Sequence, residues 1–295
     1  MHLELPSPCK INLLLNILGR RPDGFHELET VMHPVALWDT LRVEAAAEGI
    51  GLTCNDPLVP TGETNLVCRA AAAFLQATGL QTGLRFQLEK RIPTAAGLGG
   101  GSSNAATTLL GLNQLWNQPL PPSGLARLAA TLGSDVPFFL HGGPALATGR
   151  GEQVEPVGEL PAMRGVWVLL IHPGFGVATP WAYRQLANFP AALNGWPGRA
   201  ARLVEILRSG TLTEAAGDFY NSLETPVLDK YPILGLYQEF CREHGALAAM
   251  MSGSGSTTFA LTATEQVARE LRERFVARFG TACWTAVVPL RTAAA

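Results

Sequence analysis

Charge is scarce in this sequence and nearly balanced. Lys and Arg number 22 and Asp and Glu 24 among 295 residues, for a formal net charge of −2. That balance gives no basic footprint for a nucleic-acid backbone. Long apolar runs are missing too: Leu13-Leu14-Leu15 is closed off by Asn12 and Asn16, far short of a bilayer span. The N-terminus lacks the ordered basic, apolar and small-residue segments of a secretory leader. Cysteine is sparse and odd in number, with Cys9, Cys54, Cys68, Cys241 and Cys283 scattered and no Cys-x-x-Cys. This speaks against a disulfide framework or a cysteine metal site and reads as buried thiols in a reducing compartment. No repeat or low-complexity tract occurs, and 47% of residues are hydrophobic. The expectation is a soluble cytoplasmic protein with a large core and two domains, binding neither nucleic acid nor membrane.

Glycine, by contrast, is concentrated in one place. Residues 92–108 read Ile-Pro-Thr-Ala-Ala-Gly-Leu-Gly-Gly-Gly-Ser-Ser-Asn-Ala-Ala-Thr-Thr, so that Gly97, Gly99, Gly100 and Gly101 run directly into Ser102 and Ser103. Upstream, Leu84, Phe86 and Leu88 alternate with polar residues as in a half-buried strand, and downstream Ala106, Leu109, Leu110 and Leu112 fall at helical spacings. Glycines permit positive φ and close approach of a ligand to the main chain. A helix start offers unpaired amides and a positive dipole end to an anion. The stretch reads as a phosphate cradle, the alternative being a plain structural turn. It is not a Walker loop, because no Gly-Lys-Ser/Thr closes it, and its spacing is not the dinucleotide fingerprint.

Elsewhere the chain gives weaker signals. Residues 7–18 alternate as a strand, with Cys9, Ile11, Leu13, Leu15 and Ile17 on one face and Lys10, Asn12, Leu14 and Asn16 on the other. By composition Lys10 reads as a solvated residue of an edge strand. Asp23-Gly24 marks a hairpin, and His26 beside it is by default structural or solvated. Residues 31–35 and 41–46 read as strands, 53–62 as a loop, and 65–78 as a helix with Thr64 as its N-cap. A further helix ends near Leu132, and Asp135 follows it among apolar residues, where a carboxylate is paired, functional or a local cap. Residues 142–151 are turn-like, and a soft domain boundary falls near 157–165. Thr179-Pro180 starts a helix that carries Trp181 and Tyr183. A second glycine-serine loop, residues 251–259, precedes a strand, and helices over 200–208, 232–244 and 265–275 and a strand over Trp284–Pro289 complete the reading.

In this order the motifs resemble the superfamily of galactokinase, homoserine kinase, mevalonate kinase and phosphomevalonate kinase, the GHMP kinases. Those enzymes hold ATP phosphates on a glycine loop that is not a Walker motif. The triple glycine with Ser-Ser-Asn-Ala-Ala is most similar to the family of 4-diphosphocytidyl-2-C-methyl-D-erythritol kinases of the non-mevalonate isoprenoid pathway. So are Pro-Cys-Lys-Ile-Asn-Leu from Pro8, Asp-Gly-Phe-His-Glu-Leu from Asp23, Gly-Ser-Asp-Val-Pro-Phe from Gly133 and Ser-Gly-Ser-Gly from Ser252. The likeness runs from Pro8 to about Pro289. The fold it implies is α+β in two domains: a ribosomal-protein-S5-like ATP-binding domain over 1–158 and a ferredoxin-like domain over 159–295, with the substrate between them.

The resemblance implies phosphorylation, by ATP with Mg2+, of the 2-hydroxyl of a cytidyl diphosphate substrate. It makes Lys10 and Asp135 the catalytic pair, the lysine facing the aspartate, with Asp135 as base or mainly as an electrostatic group. Nucleotide contacts carry over to Asn65 and Leu66 at adenine and to Pro93, Gly97, Leu98, Gly99, Gly100, Gly101, Ser102 and Ser103 at the phosphates. Gly253 and Ser254, in the superfamily's third motif, pack against that loop. Substrate contacts carry over to Asn12, Phe25, His26 and Tyr183, the two aromatics stacking on cytosine; Trp181 competes with Tyr183, and a core aromatic is the plain alternative. Metal ligands stay unknown, because no acidic residue adjoins the glycine loop, whereas some superfamily members use a glutamate. Residues 221–224, Asn-Ser-Leu-Glu, resemble a family segment to which no role is assigned. Cys9, Phe25 and Asn104 depart mildly from the usual alanine, tyrosine and aspartate. A monomer or weak homodimer is expected. The alternatives are a GHMP kinase of mevalonate or homoserine, for which a base-stacking Phe25 has no purpose, and a non-catalytic sensor, against which Lys10 and Asp135 argue.

Overall fold

The computed structural model describes residues 2–291. Two long strands begin it, β1 (His2–Arg20) and β2 (His26–Ala46). The sequence suggests two shorter strands in place of β2; residues 36–40 join them. Pro34, which cannot donate to a ladder, falls between the stretches of β2 that pair with β5 and β4, residues 30–32 and 40–46. Two compact units are interleaved along the chain. One comprises Met1–Cys9, Leu37–Thr94 and Gly99–Gly142, and the other Lys10–Ala36, Ala95–Leu98 and Gly143–Ala295.

In the first unit β2 pairs antiparallel with β4 (Gly83–Glu89), and β4 pairs parallel with β3 (Ile50–Cys54). β3 ends inside the stretch expected as a loop. Leu84, Phe86 and Leu88 of β4 are buried, as their alternation requires. Helix α1 (Leu66–Thr78) buries Val67, Ala70, Ala71 and Phe74, and Gly79 at φ 70° ends it in the left-handed conformation. Its cap is Asn65, not Thr64: the Asn65 Oδ1 accepts the amide of Val67 at 2.8 Å. Helices α2 (Gly100–Leu115) and α3 (Pro122–Leu132) complete the unit.

In the second unit the later part of β1 pairs parallel with β8 (Tyr220–Asn221), while β2 pairs with β5 (Ala145–Thr148) and β5 with β6 (Gln153–Pro156). β5 thus lies in the stretch expected to be turn-like. A separate antiparallel sheet has the order β11-β7-β10-β9, from β7 (Trp167–His172), β9 (Ala248–Met251), β10 (Thr258–Thr262) and β11 (Trp284–Pro289). Its helices are α4 (Thr179–Gln185), α5 (Pro190–Leu193), α6 (Arg199–Ser209), α7 (Leu212–Ala215), α8 (Glu224–Lys230), α9 (Pro232–Glu243) and α10 (Glu265–Phe279). Leu169 and Ile171 of β7 pack with Leu234 and Cys241 of α9 and Leu271 and Phe275 of α10 in one buried cluster. All five cysteines are free thiols, but Cys54 and Cys283 are only half-buried, since each lies at the margin of a sheet. No helix among the described residues is long and apolar enough to cross a membrane.

His33 of β2 is buried, and its Nδ1 lies 2.8 Å from the Pro34 carbonyl oxygen, so Nδ1 carries the proton of the neutral ring. Burial pushes its pKa down to about 4 from 6.5. The unfolded chain takes up a proton near pH 6.5 and the folded chain only near 4, so the stability His33 confers is present above 6.5 and lost as pH falls towards 4. The span corresponds to about 3 kcal/mol. Chemical unfolding of wild type and His33→Asn at pH 7.5 and pH 4 should show their difference in free energy changing by about that much. A difference independent of pH would mean that His33 is not the titrating group.

Candidate active site

The glycine stretch is where local backbone geometry is most constrained. Gly97 and Gly99 take φ of 78° and 71°, whereas Gly100 and Gly101 are already in α2. Positive φ is therefore needed at the first two glycines only. Gly99 is the N-cap of α2 and offers no side chain to it, and no acidic residue occupies the first turn. The amides that a helix start leaves unpaired are thus without a protein anion. Gly101 is exposed, Ser102 half-buried and Ser103 buried, and the Ser103 Oγ has no hydrogen-bond partner. An uncapped start, an exposed glycine and an unpartnered hydroxyl fit a phosphate ligand. Leu66 adjoins this point, because a Cβ on Gly101 would lie 3.7 Å from the Leu66 Cδ1. Asn65 spends its side chain on the cap and on the Pro60 carbonyl at 2.6 Å.

Next to the start of α2 lies a cluster that sequence reasoning missed. Asp39 is fully buried and accepts hydrogen bonds from Lys90 Nζ at 2.5 Å, Asn104 Nδ2 at 3.0 Å and the amides of Arg91 and Ile92 at 2.8 and 2.9 Å. A Cβ on Gly100 would meet the Lys90 Nζ at 3.1 Å. The partners are drawn from β2, the loop after β4 and α2, and no local pattern marks residues so far apart as neighbours. Pro93 and Asp135 are both half-buried, the latter between α3 and the 3-10 turn Pro137–Leu140.

In the second unit Lys10 is 2% exposed, not in water as composition suggests. Its Nζ donates to Asn12 Oδ1 at 2.5 Å and to the Gly97 carbonyl at 3.2 Å, and its amide donates to the Leu98 carbonyl at 3.0 Å. Asn12 donates in turn to Thr30 Oγ1 at 2.9 Å. The second glycine loop closes on the same carbonyl: Ser252 Oγ donates to Gly97 O at 2.9 Å, and a Cβ on Gly253 would stand 3.3 Å from Lys10 Nζ and 3.4 Å from Asn12 Oδ1. Ser254 Oγ is hydrogen-bonded to Thr179 Oγ1 at 2.8 Å, at the start of α4. One turn on, Tyr183 lies against His26, ring centroids 5.1 Å apart. Burial, with Arg20 nearby, lowers the His26 pKa, which favours the neutral ring with one donor and one acceptor nitrogen. Trp181 packs elsewhere, at 6.3 Å from the Tyr231 ring and under Lys230. Phe25 is 52% exposed, and the Arg150 guanidinium lies 4.6 Å from its ring centre. The sequence-predicted residues Lys10, Asn12, Gly97, Leu98, Gly253 and Ser254 are thus brought together, as are His26 and Tyr183.

Comparison with known proteins gives this arrangement a relationship. The family descriptions GHMP kinases N terminal domain and GHMP kinases C terminal match residues 65–143 and 203–281. The 4-diphosphocytidyl-2-C-methyl-D-erythritol kinase of Pelotomaculum thermopropionicum is 43% identical over 93% of this chain and 94% of its own length. The chain belongs to this kinase family. The enzyme of the same name from a Synechococcus species is 40% identical over 93% of this chain and 90% of its own. A crystal structure of 4-(cytidine 5'-diphospho)-2C-methyl-D-erythritol kinase superposes with a TM-score of 0.80 at 37% identity, covering 97% of this chain and 99% of that one. Homoserine kinase from Cytophaga hutchinsonii, at 19% identity and TM-score 0.76, shares the fold. The kinase is therefore a phosphotransferase with the two-domain GHMP fold, its helices accompanying two sheets. GHMP kinases use ATP as a substrate.

Two glycine substitutions separate folding from nucleotide binding. A Cβ on Gly97 would lie 2.1 Å from the Ser252 carbonyl oxygen, so Gly97→Ala should lose at least about 2 kcal/mol of stability through clash and left-handed strain. Gly101→Ala meets only an ordinary contact and adds a better helix former, so thermal stability should hold or rise. Its ATP dissociation constant should nevertheless rise about tenfold or more, equivalent to ~1.4 kcal/mol. Unchanged nucleotide affinity in Gly101→Ala, measured by titration, would leave the loop as a turn alone.

Proposed function

We propose that the kinase transfers the terminal phosphoryl group of ATP to the 2-hydroxyl of 4-diphosphocytidyl-2-C-methyl-D-erythritol, in the non-mevalonate route to isoprenoid precursors. The observation that carries the substrate is the pairing of His26 with Tyr183, a polar ring beside an aromatic one, on a chain 43% identical to a kinase of that name. A neutral imidazole matches the donor and acceptor edge of cytosine, and an aromatic face stacks on a base. Phe25 supplies a second ring, exposed on one side. Mevalonate and homoserine offer neither edge nor face for these groups.

Phosphoryl transfer asks the protein for position, charge neutralisation and a base. The amides at the start of α2 and the hydroxyls of Ser102 and Ser103 bind phosphate oxygens, with Pro93 and Leu66 on the nucleotide side. Asp135 accepts the proton of the attacking hydroxyl, and Lys10, held by Asn12 and the Gly97 carbonyl, stabilises charge on the transferring group. Magnesium is expected with ATP. No group of three or more His, Cys, Asp or Glu side chains that could hold an ion occurs among the described residues. Nucleotide phosphates and water are the ligands such an ion ordinarily keeps. We assign residues 1–158 and 159–295 as the N- and C-terminal kinase domains, on the support of family matches on either side of that division. A cytoplasmic monomer or weak homodimer is part of the same reading.

ATP turnover should be observed with 4-diphosphocytidyl-2-C-methyl-D-erythritol and not with mevalonate or homoserine; the reverse would overturn the substrate. Asp135→Asn should keep ATP binding and lower kcat at least ~100-fold, the scale of a lost general base. Combined with Lys10→Ala, the loss should fall short of the product of the two, as for residues acting as a unit.

The base pocket has its own signature. His26→Ala and Tyr183→Ala should each raise KM for the cytidyl substrate about 5- to 150-fold, from ~1–3 kcal/mol per stacked or hydrogen-bonded group. KM for ATP should stay nearly constant, and Trp181→Ala should alter neither. Equal damage to both substrates would make these rings core residues.

A further inference from the structure

Residues 221–224 carry no role in the reading so far, yet they are built into the site. Asn221 is buried on β8, beside Leu15 of β1, the strand that holds Lys10 and Asn12. Its Nδ2 donates both hydrogens, to the Met251 carbonyl at 2.9 Å and the Gly253 carbonyl at 2.8 Å, and its Oδ1 accepts the amide of Leu223 at 2.9 Å. The two carbonyls flank Ser252, so the amide closes a bracket around that residue. Glu224 fixes the same loop from its other side, its Oε1 accepting the Met251 amide and Gln238 Nε2, each at 2.7 Å. Backbone bonds tie the segment to β1 as well: Ser222 N donates to Leu15 O at 2.8 Å, and Ile17 N donates to Ser222 Oγ at 3.0 Å.

What the bracket holds is the environment of Lys10. Ser252 Oγ and Lys10 Nζ share the Gly97 carbonyl, and a Cβ on Gly253 would crowd Lys10 Nζ at 3.3 Å and Asn12 Oδ1 at 3.4 Å. If the second glycine loop drifts, the carbonyl that orients the ammonium drifts with it. A carboxamide suits the task, because one planar NH2 group reaches two carbonyls and carries no charge into a buried place. We infer that Asn221 is a positioning residue for phosphoryl transfer, which acts by clamping the Ser252–Gly253 turn so that Lys10 stays aimed.

This rests on the reading of Lys10 as the residue that stabilises the transferring group. Asn221→Ala should lower kcat about 10- to 100-fold, the usual cost of a small misplacement, with both KM values within about threefold of wild type. Partial unfolding would also lower kcat, so the deciding measurement is made in Lys10→Met. There Asn221→Ala should cost nothing further, whereas a loss of folded enzyme would carry over in full. Should Asn221→Ala fail to fold, Ser252→Ala removes a single hydroxyl from the same route and should give the same kcat-only loss and the same silence in Lys10→Met. Glu224→Gln keeps an oxygen for both of its donors and should retain activity where Glu224→Ala loses it. If Lys10→Met itself turns over normally, the assignment of Lys10 falls and this inference with it. If Lys10→Met is impaired but Asn221→Ala is silent, or adds its whole cost in that background, only the role of Asn221 falls.

Discussion

At Gly97 there is room for hydrogen and nothing else. The neighbouring carbonyl of Ser252 stands where a Cβ would be, and the backbone is held at a φ that side chains avoid. Its own carbonyl receives both the Ser252 hydroxyl and the Lys10 ammonium. One peptide unit thus joins the first glycine loop, the second glycine loop and the first strand, segments separated by 87 and 155 residues of chain. Glycine at this position is a requirement of packing, whereas at Gly101 it leaves a surface open.

The ammonium groups of Lys10 and Lys90 are both taken out of water. Lys90 is matched by a buried carboxylate, Asp39, which also gathers two backbone amides and Asn104. That is a structural use of charge: removing one partner of such a pair strands the other, at roughly 3–5 kcal/mol. Lys10 donates to the Asn12 side chain and to the Gly97 carbonyl.

Much of this was legible in the sequence, and the exceptions have physical causes. The glycine loop and the strand and helix around it could be read from periodicity, because each is a local pattern. The boundaries of β2 could not, since residues 36–40 carry no strand pattern of their own and are strand through the neighbours that flank β2 in the sheet. Asn65 displaced Thr64 as the cap because both residue types cap well and only geometry chooses. The burial of Lys10 ran against composition, because one of the groups that holds it is a carbonyl 87 residues away, which no local pattern marks. Asp39, Lys90 and Asn221 have no local signal at all, their meaning lying in bonds to distant backbone.

The interleaving of the two units has a consequence for how the protein is made. The flank of β1 that ends beside β8 finds its partner only when residues near 221 have been synthesised, and the Ser222 hydroxyl that caps Ile17 is 205 residues downstream. At ribosomal speed that delay is on the order of ten to forty seconds. During it the segment bearing Leu13, Leu15 and Ile17 presents an unpaired strand edge, the kind of surface on which nascent chains pair with one another. Burying Lys10 in a strand completed so late leaves the half-made chain with that edge open until residues near 221 emerge.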